Sequence, residues 1–155
     1  MTNRTKPLLD TVERQLAELT ALLANADETA LSKTCPGREK LGDGTVAAIA
    51  LHTADTYLRI AAFAHGHPTL AHTSPAHHED DGHGQPVSVP RLVQRLTAGR
   101  RALAALAELT DEQLDTVPPA GQTRFCDGKR TTEQVLAAML KHQRHQIDAL
   151  KVSIA

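Results

Sequence analysis

Four stretches of the chain carry apolar residues at alternating intervals of three and four, and proline, glycine or a capping residue fences each one off. Leu9, Val12, Leu16, Leu19 and Leu23 form the first series. That spacing puts them on one face of a helix, expected over 6–25, with Glu13, Arg14, Gln15 and Glu18 on other faces. Thr45 stands ahead of Val46, Ile49, Ala50, Thr53, Tyr57, Ile60 and Ala64, which predicts a second helix over 45–64. A third, over 89–109, has Pro90 at its first turn and runs through Leu92, Leu96, Leu103, Leu106 and Leu109. Gly99 lies on the same side, where a neighbouring helix can come close. The fourth covers 132–151, capped by Thr131 or Thr132.

Between these helices the chain is punctuated. Residues 26–44 hold Pro36, Gly37, Gly42 and Gly44, so a linker with at most one short helical turn is expected. Residues 65–88 are rich in His, Gly, Pro and acidic side chains and offer little to bury. Such a long loop can cross a bundle and let the second and third helices run parallel. Thr110 and Gln113 have capping-box spacing for a short turn at 111–115, and Asp127-Gly128 has the chemistry of a two-residue hairpin turn. With one Tyr, two Phe and no Trp, the chain lacks the residues that build sandwiches and barrels. The expectation is an all-α four-helix bundle forming a single domain over 1–155.

Charge narrows the function. Lys and Arg total 17 against 18 Asp and Glu, a net charge of −1 with the signs interspersed, which excludes a general nucleic-acid binder. The apolar runs fall short of the ~18 residues needed to span a bilayer. The N-terminus runs directly into an amphipathic pattern, unlike a secretory signal, and two cysteines make no disulfide framework. A cytoplasmic location is expected. Cys35 and Cys126 each precede a helix that bears a candidate histidine; both read as ordinary thiols.

The chemistry sits on the second and fourth helices. His52 borders the apolar face of the second. On the fourth, His142 and Gln146 share the inward stripe of Val135, Met139 and Leu150, with His145 on its edge. A buried imidazole and amide need polar partners, because an unsatisfied one costs about 1–3 kcal/mol. A metal ion, a hydrogen bond or a buried water would each serve. In the long loop, His65, His67, His72, His77, His78 and His83 stand among Glu79, Asp80 and Asp81. That set either binds metal adventitiously or forms part of a lid.

The strings LHTADTYLRIAAF on the second helix and TTEQVLAAMLKHQRHQIDAL on the fourth resemble the His-x-x-Asp segment and the closing His-rich helix of DinB/YfiT-like proteins. The order of elements agrees along essentially the whole chain. The resemblance implies a divalent metal, zinc foremost, with nickel or iron as alternatives. His52 and His142 would be ligands, and His145 is the expected third, with a histidine of the 65–83 loop as the alternative, since the family's position four residues after His142 is Gln146 here. Gln146, Asp55 and Tyr57 would line the pocket or support the ligands, although Asp55 also reads as a residue of the solvated face. The resemblance further implies a small-molecule substrate and a transferase using a low-molecular-weight thiol such as mycothiol, made nucleophilic by the metal. A homodimer is compatible with it. The competing readings are a bundle that has lost its metal and binds a small molecule, and a metal-handling protein working through the histidine-rich loop.

Overall fold

The computed structural model describes residues 3–35, 44–66 and 87–154; the linker residues Pro36, Gly37 and Gly42 and the loop's His67, His72, His77, His78, Glu79, Asp80, Asp81 and His83 lie outside them. A 3-10 turn at Asn3–Thr5 leads into α1, Lys6–Ala24. The linker holds one short helix, α2, Glu28–Ser32, whose N-cap Asp27 accepts from Ala30 N at 2.8 Å. Next comes α3, Val46–Ala64, where Thr45 Oγ1 accepts from Ala48 N at 3.2 Å. Ser88 caps α4, Val89–Leu103, and Pro90 sits in its first turn. The third stripe is continuous to Leu109, but the backbone tightens into a 3-10 turn at Ala104–Glu108, which keeps Leu106 and Leu109 buried. The capping box of Thr110 and Gln113 forms and opens α5, Asp111–Asp115.

The last helix, α6, covers Thr132–Ile154. Thr131 is its cap: Thr131 Oγ1 accepts from Gln134 N, and Gln134 Oε1 accepts from Thr131 N at 2.9 Å. It outruns its expected end because Ile154 still packs on the core and Ser153 donates to Cys35 Sγ at 3.4 Å. Asp127-Gly128 makes a turn, with Gly128 at φ 79°, but no hairpin. Asp127 Oδ1 accepts from Lys129 N and Arg130 N at 2.9 and 2.8 Å, so the carboxylate closes the turn locally and directs the chain into α6. Among the described residues the only strand-like feature is the antiparallel bridge Thr34–Thr45.

The four long helices close into a ring: α1 packs on α4 and α6, and α3 packs on the same two. Their directions follow from pairs of contacts. Arg4 meets Glu133 and Glu18 meets Arg144, so α1 and α6 run parallel. Asp55 meets Arg95 and Tyr57 meets Gly99, so α3 and α4 also run parallel, as the long connection allowed. α3 starts beside Cys35, whose sulfur lies 4.0 Å from Ala149 O near the end of α6, and by Thr53 it has reached Gln143. α3 and α6 are therefore antiparallel.

Polar side chains cross the centre. Fully buried Tyr57 donates to Gln15 Oε1 at 2.9 Å, and Gln15 Nε2 donates to Leu140 O at 2.9 Å. Gln15 thus faces the core, not another side of α1, as its spacing of three from Val12 and four from Leu19 permits. Gln143 Nε2 donates to Thr53 O at 2.8 Å. Burial pushes the Tyr57 hydroxyl well above the ordinary tyrosine range.

At Gly99 the close approach is real: an added Cβ would stand 2.9 Å from Tyr57 Cβ, on two backbones that cannot separate locally. Helix propensity favours Gly99→Ala by about 1 kcal/mol, whereas forcing a methyl into a packed seam costs about 1–3 kcal/mol. The variant should therefore lose stability in urea denaturation. A gain would show that α3 and α4 are not in contact there.

Candidate functional site

The Gln143–Thr53 bond ties α3 to α6 at mid-height. In an antiparallel pair, the residues preceding two facing residues emerge on the same side of the seam. His52 and His142 are those residues, so both flank one outer edge of the α3/α6 seam. Each is half-buried. Gln146, one turn after His142, is buried, and its Nε2 lies 3.3 Å from His142 Nε2.

The turn ahead of α6 supplies a third element. Gly121, at φ 84°, donates its N–H to Cys126 O, and Cys126 N–H donates to Thr123 O, closing a compact loop that carries Arg124 and Phe125 against α6. Arg124 Nη2 is 2.9 Å from His142 Nδ1 and 3.3 Å from its Nε2. The Phe125 ring lies 6.0 Å from the imidazole, and the Arg124 guanidinium sits 4.8 Å from the Phe125 centroid.

On the α3 side, Arg59 Nη1 reaches Thr56 Oγ1 at 3.3 Å and contacts His52 Nδ1 at 3.5 Å. Arg59 is only 8% exposed. Burial pulls its pKa below the usual guanidinium value, opposed by the nearby Asp55 carboxylate. Asp55 is itself buried, with Oδ1 3.3 Å from Arg95 Nε. It therefore belongs to a charged cluster under α4 and not to the solvated face. Among the described residues, Arg59 and Arg95 flank Asp55, and Arg124 stands by His142 across the seam.

The other expected site residues fall elsewhere. His145 is exposed, while Gln143 and Gln146 occupy the buried positions on either side of it; turning α6 to bring His145 inward would carry both amides out of the core. Tyr57 is wholly buried and serves the core network. The two thiols are buried and lie apart. Cys35 rests near Ala149 and Ser153, whereas Cys126 sits in the turn before α6, 3.2 Å from Thr123 Oγ1. Two grooves among the described residues, of about 530 Å³ near Phe63 and Pro118 and about 340 Å³ between α1 and α4, include neither His52 nor His142.

A zinc centre needs three or four imidazole, thiolate or carboxylate donors about one point. Among the described residues no three His, Cys, Asp or Glu side chains are so grouped. His142 meets a guanidinium and an amide instead. A neutral imidazole has one N–H and one lone pair. Arg124 brings only donors and so takes the lone pair, and the remaining N–H faces Gln146, whose terminal amide can turn to accept. The described residues do not fit a three-ligand metal site.

Fold and seam define an all-helical bundle with two parallel helix pairs and a polar edge between its second and last long helices. A family model for the DinB superfamily matches residues 11–147, most of the chain, and the chain belongs to that superfamily. Neither curated proteins nor solved structures provide a match. None of the described helices is long and apolar enough to cross a membrane.

Arg59, Arg124 and Gln143 were not among the expected site residues. Arg59 had a signal: it is the one cation in the apolar run after Tyr57, and it sits seven residues, two helical turns, from His52. If Gln146 is what separates this seam from a metal-binding one, Gln146→His should create a histidine pair four residues apart and raise zinc affinity at least about tenfold in competition titrations. Unchanged affinity would mean that His142 is not available to a metal at all.

Proposed function

We propose that this DinB-superfamily chain binds a small anionic molecule at the α3/α6 seam without a histidine-held metal ion at its centre. The observation carrying this reading is the pairing of His142 with Arg124 and Gln146. A dication roughly 5 Å from the Arg124 guanidinium would meet about 7 kcal/mol of repulsion at an effective dielectric near 20, a cost a two-histidine site does not easily offset. The same guanidinium, together with Arg59 and Arg95, attracts an anion.

A second reading keeps the metal-dependent thiol transferase, using mycothiol or a similar thiol. What favours it is the placement of His52 and His142 on one edge of the seam. A histidine from the 67–86 segment would have to complete the ligand set.

Metal analysis of protein purified without a histidine tag separates the two. The first reading expects well under one equivalent at the seam, with any bound zinc lost on removal of residues 65–83 and retained in His142→Ala. One equivalent that His52→Ala and His142→Ala each abolish would overturn the first and establish the metal site that the second requires.

A further inference from the structure

Arg59 presents an incomplete set of hydrogen bonds. Its Nη1 is engaged by Thr56 and His52, but its Nε and Nη2 are buried and have no hydrogen-bond partner among the described residues. These are the two nitrogens of the guanidinium's side-on edge, whose N–H bonds point the same way. Left unpartnered, each buried donor is destabilising, and more so on a charged group. The neighbouring carboxylate does not fill the edge: Asp55 Oδ1 lies 3.3 Å from Arg95 Nε.

We infer that the side-on edge of Arg59 is a recognition site for the carboxylate of a small-molecule ligand. The inference deepens the seam reading and rests on it. Two parallel N–H donors match the two oxygens of a carboxylate, giving the bidentate, charge-assisted pair for which arginine is suited. Shape selects the class: the two N–H bonds of the fork lie in one plane, as do the two oxygens of a carboxylate. His52 and Thr56 engage Arg59 Nη1, the nitrogen opposite this edge, and so hold the guanidinium in place while leaving the edge to a ligand.

The test uses the full chain with acetate, acetamide and inorganic phosphate as probes at matched ionic strength, read by arginine Nε–H resonances and by melting temperature. Acetate should shift one Nε–H resonance saturably, the one that Arg59→Lys removes, and should raise the melting temperature; acetamide should do neither. Arg59→Lys should weaken acetate binding by about tenfold or more, because a point charge cannot replace the fork. An equal response to acetamide, an acetate response undiminished in Arg59→Lys, or tighter binding of phosphate would each overturn the assignment. So would an acetate response that appears only after Glu79, Asp80 and Asp81 are all changed to Ala, since an internal carboxylate would then be the partner. The acetate and acetamide comparison on the unaltered chain decides the matter even if Arg59→Lys does not fold. A failure here with little zinc bound leaves the seam reading standing; zinc bound through His142 removes that reading instead.

Discussion

Buried amides hold this bundle in register. In a core of Leu, Ala and Ile, a helix can slide or rotate by a fraction of a turn at small cost, because apolar contacts are nearly interchangeable. Gln143 removes that freedom for α3 and α6, since its Nε2 has to find an acceptor and finds Thr53 O. Gln15 does the same for α1 and α6 through Leu140 O, and Tyr57 joins α3 to that network from across the ring. Net stabilisation from each such bond is only about 1 kcal/mol, but breaking one strands a polar group in a dry core at a cost of up to about 3 kcal/mol. The seam inherits its geometry from this constraint. His52 and His142 share an edge because their successors in the chain are bonded to each other.

The helices were legible in the sequence because their signals are local. Thr110 and Thr131 act as caps where their spacing indicated, and the apolar stripes bury except at their ends, where Leu8 is buried in place of Leu9 and Ala64 is only partly covered. Even the parallel course of α3 and α4 was allowed by the length of the segment between them. The errors share a cause. Gln15 was assigned to an outer face and Asp55 to the pocket or the solvated face, whereas their positions face neighbouring elements that supply a partner: Tyr57 and Leu140 for Gln15, Arg95 for Asp55. A helical wheel records direction from one axis and cannot tell which polar residues meet a complement.

The same limit governs the site. His52, His142 and Gln146 were identified from their stripes, and they do line the seam. What surrounds His142 was not legible, because Arg124 comes from a turn whose path depends on Gly121, Thr123 and Cys126 bonding among themselves. That single neighbour sets a guanidinium against the imidazole, and a cation at that distance opposes a second one. Membership of the DinB superfamily fixes the scaffold, and the residues at its seam decide what the scaffold does.

The imidazole nitrogens of His142 report on this directly. Long-range nitrogen–proton NMR on the full chain should show a neutral His142 held in one tautomer, one nitrogen protonated and the other accepting from Arg124, with the pattern unmoved by an equivalent of zinc. Joint displacement of the His52 and His142 nitrogen signals on adding that zinc would contradict the account.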